Sequence, residues 1–262
     1  MIAVSADQSM QTISRTIHIL RCFSKEEKEI SLAEFHRKLG LSKSSLQRIL
    51  HTLVNFGFLE KDEKRKTYRL GNELYYLGKL VEEHSHLLTV TKPYLKAVRD
   101  RFGESVYLNI IENNERKCIA FEEGKHDLMT ISYIGQTSPL YAGASAKLLL
   151  AYLPPEKLAM YMQQTTLQPI TSATVVDKEK LADELAEVRQ RGYASSNGER
   201  VVGVCSVSAP IFNRGGETIA GISISAPMIR VTDERFQEFI QAITQTARQI
   251  SDEFKFSHTK EY

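Results

Sequence analysis

Apolar side chains recur at Ile13, Ile17, Ile19, Leu20 and Phe23, a spacing that lines one side of a helix over residues 12–23. Ser31 and Glu34 then make the S-x-x-E pattern of a capping box, in which the serine oxygen accepts an unpaired N–H of the first turn and the glutamate reaches back to the cap. Leu32, Phe35 and Leu39 carry that second helix and Gly40 stops it. A third helix begins at once, with Ser42 as its cap and Leu46, Ile49, Leu50 and Leu53 as its apolar stripe, ending near Gly57. Two short amphipathic helices joined through Gly40-Leu41-Ser42 form a helix-turn-helix. Ser42, Lys43, Ser44, Ser45, Gln47, Arg48 and His51 fall off the stripe and make its exposed face. The segment FLEKDEKRKTYRL, 58–70, has strand-like ends around a charged centre and predicts a hairpin, a wing, with Lys64, Arg65 and Lys66 at or near its tip.

Beyond Gly71, Leu74, Leu77, Leu80, Val81, Leu87 and Leu88 predict one connecting helix over 72–90. Pro93 suits the first turn of the next helix, which Leu95, Val98 and Phe102 line and Gly103 ends. From Ser105 the pattern turns to strands: SVYLNII, a turn at Asn113-Asn114, RKCIAFEE, and LMTISYIG over 128–135. Helices follow at 144–153, stopped by Pro154-Pro155, at 156–163 and at 178–191 before Gly192. Two strands return, VCSVSAPIF and TIAGISISA, joined by the turn 213–217, and a long helix over 233–254 closes the pattern. Strands arriving as hairpins with helices between and after them argue for an antiparallel α+β arrangement over a doubly wound parallel sheet. The expected division is a tail at 1–9, a winged helix-turn-helix at 10–71, a linker helix at 72–90, a C-terminal domain at 91–256 and a tail at 257–262.

A chain of 262 residues, 42% of them hydrophobic, has material for two cores. The net charge of +2 conceals an asymmetry: residues 1–80 hold 14 Lys plus Arg against 9 Asp plus Glu, or +5, and residues 81–262 hold 20 against 23, or −3. Positive charge concentrated on the helix-turn-helix half is what contact with phosphate requires. Residues 1–10 lack the basic start and apolar run of a secretory signal, and the longest apolar stretch, 148–153, is too short to span a bilayer, so a cytoplasmic protein is expected. Three scattered cysteines, Cys22, Cys118 and Cys205, fit buried thiols in a reducing compartment. No C-x-x-C or H-x-x-x-H spacing points to a metal site. There is no G-x-S-x-G or Walker loop, and Ser145 and Lys147, two apart on a helix, diverge; no catalytic residue and no cofactor is expected.

Taken in order, SRTIHILRCFS, LAEFHRKLGLSKSSLQRILHTLVNFGFLE, the wing ending in YRLG, PLYAGASAKLLLAYLP, RGYASSNGERVVGVCSVSAPIFNRGGETIAGISISAP and TDERFQEFIQAITQTARQIS resemble the IclR family of transcription regulators. The resemblance runs from about Ser9 to Phe254. It implies a GAF-like C-terminal domain that binds a small effector, assembly as a dimer or a dimer of dimers on operator DNA, and repression or activation of catabolic genes.

On the exposed face of the third helix, Ser42, Lys43, Ser44 and Ser45 suit phosphates, helped by the positive helix N-terminus. Gln47 and Arg48 suit base edges, adenine and guanine respectively, with His51 and the wing's Lys64, Arg65 and Lys66 alongside. Gly143-Ala144-Ser145 is a small-residue turn opening an apolar helix, where free N–H groups and the helix dipole favour an anion such as a carboxylate. The resemblance places effector contacts at this turn and on the two later strands; by position these are Val204, Ser206, Ser223 and Ser225. Ser223 and Ser225 alternate by two and share a face. The stretch SSNGER at 195–200 departs from members with further acidic residues there, and Cys205 stands one place before the position, Ser206, where some members have cysteine. An effector other than the small keto acids of those members is therefore expected. Three other readings stand beside this one: a C-terminal domain that only oligomerises, a metal sensor built on Cys118, His126 and Cys205, and an enzyme.

Overall fold

In the computed structural model, which describes residues 10–24, 26–130 and 132–256, the N-terminal elements follow the apolar spacing closely. Helix α1 (Gln11–Leu20) is followed by a two-residue strand β1 (Ile30–Ser31) and helices α2 (Leu32–Leu39) and α3 (Lys43–Asn55). The Glu34 N–H donates to the Ser31 hydroxyl oxygen at 3.3 Å, and the Ser31 N–H donates to the Glu34 carboxylate at 2.7 Å, so the capping box is complete. Those hydrogen bonds hold the Glu34 carboxyl below its usual range. Gly40 ends α2 at φ +66°, where a β-carbon would be strained, and the turn delivers Ser42 to accept the Ser45 N–H and start α3. Strands β2 (Leu59–Asp62) and β3 (Thr67–Leu70) form the wing. Ile19, Ile30, Phe35, Leu46, Leu50 and Leu59 bury the core of this unit. β1 extends the sheet to the order β1-β3-β2, and at two residues it is too short to show a period in the sequence.

The chain divides into two compact units, Met1–Ser85 and His86–Tyr262. The single helix expected over 72–90 is two, α4 (Asn72–His84) and α5 (His86–Phe102), separated by Ser85 in an extended conformation. Leu87 and Leu88 therefore belong to α5 and pack on the core of the second unit. Pro93 lies inside α5 rather than in its first turn. Thr91, Leu95, Val98 and Phe102 are buried along this helix, and that burial outweighs the one intrahelical bond the proline cannot make. The tails expected at 1–9 and 257–262 lie outside the described residues.

The second unit continues with β4 (Ser105–Glu112), β5 (Glu115–Glu122), β6 (Thr137–Pro139), α6 (Ala144–Ala151), α7 (Pro155–Gln164), α8 (Lys178–Arg191), β7 (Ala194–Asn197), β8 (Val204–Phe212), β9 (Thr218–Pro227) and α9 (Asp233–Phe256). The strands form one antiparallel sheet in the order β6-β5-β4-β9-β8-β7, so the unit is α+β as the hairpins implied. Alternation sorts its side chains between two faces. Val106 and Leu108, Cys205, Val207 and Ala209, and Ile222 and Ile224 meet α5 and α9 in an apolar core. The alternate positions carry Tyr107, Asn109, Ser206, Ser223 and Ser225 toward the other side, where α6 packs over β8, β9 and β7.

Two further expectations fail in this unit. The described part of 128–135 forms no strand; this irregular segment is held by the Ser105 and Tyr107 hydroxyls donating to the Thr130 carbonyl at 2.8 and 2.6 Å, and by the Gly135 N–H donating to the Cys118 carbonyl at 2.7 Å. Residues 194–197, where the pattern along the chain predicts no strand, are strand β7, paired with β8 through Ser196 opposite Ser206. In both segments tertiary hydrogen bonding overrides local pattern.

Candidate DNA-binding face and ligand cavity

On α3 the core residues Leu46, Ile49, Leu50 and Leu53 leave Lys43, Ser44, Gln47, Arg48 and His51 exposed, with Ser42 exposed at the cap and Ser45 half-buried. The Ser42 oxygen accepts the Ser45 N–H at 3.3 Å and lies 3.2 Å from the Ser44 hydroxyl, so Ser42 builds the helix start as well as lying beside it. The His51 ring nitrogen sits 3.1 Å from the Asn55 amide nitrogen. Lys43 and Arg48 have no ion partner among the described residues. At the wing tip the Asp62 carboxylate accepts the N–H groups of Lys64 and Arg65 at 2.8 and 3.0 Å, which folds the turn and lowers the Asp62 carboxyl below its usual range. Lys64, Arg65 and Lys66 are all exposed there, but Arg65 already lies 3.4 Å from the Glu29 carboxylate. The strands below carry further ion pairs, Lys61 with Glu63 and Arg69 with Glu60.

In the second unit one cavity is lined by Gly143, Ala144, Ser145, Val204, Ser206, Ser223 and Ser225, the residues that sequence position had brought together. Its free volume is about 30 Å³, room for roughly two waters. The helix start is built differently from the expectation, however. The Gly143 N–H donates to the Glu199 carboxylate at 3.0 Å and the Ala144 N–H to the Ser196 hydroxyl oxygen at 3.1 Å, so of the three amides only that of Ser145 lacks a partner among the described residues. These caps come from more than 50 positions away and satisfy donors that the first turn of a helix leaves open. Gly143 itself adopts φ 91°, ψ 155°, a conformation essentially confined to glycine.

Behind the turn Lys147 is buried, its ammonium 2.6 Å from Glu199 and 2.7 Å from Glu184. Both Glu199 oxygens are thereby occupied, one by Lys147 and one by the Gly143 amide. The Lys147 ammonium is held away from any partnership with Ser145 by those two carboxylates.

Sequence reading missed the residue that dominates the cavity's electrostatics. Arg116, on β5, is only 2% exposed. Its Nε donates to the Ser138 hydroxyl at 2.7 Å and its Nη1 to the Asn109 side-chain oxygen at 2.7 Å, while the Asn109 amide donates to Ser223 at 3.1 Å. Its Nη2 has no partner among the described residues. Burial, reinforced by the charge of Arg200, pulls the Arg116 guanidinium down to about 10, still a cation at neutral pH. Arg200, in the turn between β7 and β8, lies along Gly143 and is likewise lowered by burial. Tyr107, Asn109, Ser132, Ser196, Glu199 and Val201 complete the wall. Arginine on a polar-looking strand such as ERKCIAFE reads as solvent-facing; no local signal marks it as buried. Cys118 and Cys205 are buried, and burial raises both thiols. No helix among the described residues is long and apolar enough to cross a membrane.

The whole chain has relatives. It is 32% identical over 241 residues to the HTH-type transcriptional regulator KipR of Bacillus subtilis, covering 92% of this chain and 96% of that one. The crystal structure of the Thermotoga maritima IclR superposes with a TM-score of 0.80 at 29% identity, over 95% of this chain and 100% of that one. An IclR homologue from Microbacterium hydrocarbonoxydans, solved in complex with 4-hydroxybenzoate, shares the fold at a TM-score of 0.83 and 22% identity, over 94% of this chain and 100% of that one. The family model for the IclR helix-turn-helix domain matches residues 12–63, and that for the C-terminal domain of bacterial IclR transcriptional regulators matches residues 80–252. With both halves matched in order over a winged helix-turn-helix and an antiparallel sheet, the chain belongs to the IclR family of bacterial transcriptional regulators.

Proposed function

We propose that this regulator is a cytoplasmic repressor of a catabolic operon whose grip on operator DNA is set by a small carboxylate bound in the cavity of its second unit. The observation that carries the effector reading is the buried Arg116 guanidinium, whose Nη2 is unpartnered among the described residues in a cavity otherwise lined by hydroxyls, amides, two valines, Arg200 and the Glu199 carboxylate, whose oxygens are taken by Lys147 and the Gly143 amide. A buried cation without a counter-charge is costly, and an anion that reaches it recovers that cost on binding. The solved complex of the Microbacterium homologue with 4-hydroxybenzoate, itself a carboxylate, is in keeping with this. The cavity's small free volume means that a ligand of more than a few heavy atoms moves the wall, where the turn 200–203 exposes Val201 and Val202 to solvent, 49% and 78%.

DNA is read by α3, with Ser42, Lys43, Ser44 and Ser45 toward phosphates and Gln47, Arg48 and His51 toward the major groove. Lys64 and Lys66 extend the contact from the wing, and Arg65 joins them by exchanging Glu29 for a phosphate. Self-association as a dimer, or a dimer of dimers, is supported by apolar side chains left exposed in the first unit: Ile13 and Ile17 on α1, and Tyr75, Tyr76, Leu80 and Val81 on α4, a helix that buries none of its residues. Binding to the DNA upstream of the protein's own gene and its neighbours, measured at several salt concentrations with and without a panel of small carboxylates, tests the reading. Specific binding shifted by one acid is the expected result. A protein that binds its operator identically with every acid, with no acid raising its melting temperature, would reduce the second unit to an oligomerisation module.

A further inference from the structure

The charges in the cavity do not balance. Arg116, Arg200 and the Glu199 carboxylate line it, and behind the turn Lys147 pairs with Glu199 and Glu184. Lys147 takes up both carboxylates, and the remaining Glu199 oxygen is capped by the Gly143 amide. Arg116 is bonded only to neutral groups, Ser138 and Asn109, and Arg200 has neither an ion pair nor a hydrogen bond among the described residues. Two guanidiniums, one fully and one half buried, therefore face the cavity without counter-charge, close enough for Arg200 to depress the ionisation of Arg116.

They also enter from different sides. Arg116 rises from the sheet, fixed by Asn109 and Ser138 and with its Nη2 unpartnered among the described residues. Arg200 comes from the turn and lies against the opening of α6 at Gly143. A monocarboxylate on Arg116 leaves Arg200 uncompensated, and one on Arg200 leaves the more deeply buried charge alone. The N-terminus of α6 cannot be the principal anion site, because its first two amides are already bonded within the protein.

Taking the cavity as the effector site, as proposed above, we infer that the effector is a dicarboxylate, one carboxylate received by Arg116 Nη2 and the Asn109–Ser223 pair at the sheet, the other by Arg200 at the turn. Drawing Arg200 onto the second carboxylate moves the turn between β7 and β8, which makes Arg200 the residue that reports occupancy as well as the one that selects charge.

The experiment is calorimetric titration of the full-length protein with matched acids that differ by one carboxylate: butyrate and succinate, valerate and glutarate, benzoate and the three benzenedicarboxylates, with ethyl phosphate as a phosphomonoester that carries no carboxylate. At least one dicarboxylate is expected to bind about tenfold or more tightly than its monocarboxylate partner, the worth of one charge-assisted hydrogen bond. Its affinity is expected to fall more steeply with added salt, and Arg200→Gln is expected to collapse the ratio toward one. Equal affinities within every pair, or an undiminished ratio in Arg200→Gln, overturns the dicarboxylate inference while leaving the cavity as an acid site. Preference for the phosphomonoester over every dicarboxylate overturns it too, in favour of a single dianionic group bridging both arginines. If no acid binds at all, the effector site itself is rejected and this inference with it.

Discussion

Replacing Gly143 by alanine tests how the helix start of the cavity is built. The residue sits at φ 91°, ψ 155°, a region that residues with a β-carbon essentially never occupy, at a cost of roughly 1–3 kcal/mol. Space is not the obstacle: a β-carbon there would have Arg200 Cβ at 3.7 Å as its nearest neighbour, ordinary contact. The chain can escape the strain only by rotating the Gly143 amide away from the Glu199 carboxylate it meets at 3.0 Å, which forfeits a charge-assisted bond of about 1.5–3 kcal/mol. Either route costs about 2 kcal/mol, so for a unit of this size the melting temperature should drop by roughly 4–8 °C. Gly40 is the control. At φ 66°, ψ 10° it lies in the left-handed helical region that asparagine tolerates, so Gly40→Asn should cost far less than Gly143→Asn. The chain contains no tryptophan, so unfolding is best followed by circular dichroism, with hydrogen exchange of α6 peptides assigning the transition to the second unit. A Gly143→Ala protein that melts within a degree of the parent, or Asn variants at the two glycines that lose equal stability, would refute the strained-turn account.

Three further outcomes are expected. Lys147→Met leaves the Glu199 carboxylate, 9% exposed, with one of its two partners gone, which should destabilise the second unit by about 3–5 kcal/mol; adding Glu199→Gln should recover much of this, and a single variant as stable as the parent in thermal unfolding would argue against the buried pair. Arg48→Ala should weaken specific operator binding by roughly 1–3 kcal/mol and relax base preference at one position in each half-site; loss that is uniform across sequences would make Arg48 a phosphate contact instead. Ser223→Phe, filling the cavity floor beside Asn109, should abolish the response to effector in operator-binding assays while the DNA-binding unit still folds, and an unaltered response would remove Ser223 from the site.

Much of the first unit could be read from neighbouring residues because its determinants are local. Ser31 with Glu34, Gly40 and Ser42 act over three or four positions, and the stripe Leu46, Ile49, Leu50 and Leu53 repeats with the turn of the helix. The same holds for the alternation in β8 and β9, which put Ser223 and Ser225 on one face before any fold was in view. The resemblance to a family added Val204 and Ser206, and the turn 143–145, to the same wall.

What remained hidden depends on partners distant in the chain. The break at Ser85 and the accommodation of Pro93 follow from burial of α5, not from its composition. Strand β7 is held by pairing with β8, and the caps on Gly143 and Ala144 come from Glu199 and Ser196. Arg116 is the sharpest instance. Between Glu115 and Lys117 it has every local mark of a solvated side chain, and only tertiary packing, with α6 over that face of the sheet and Ser138 of β6 beside it, excludes water from it. Periodicity records which side of an element a residue is on; whether that side meets water, apolar side chains or a cavity in need of an anion is decided by what packs against it, because the cost of a charge is set by its surroundings and not by its place in the sequence.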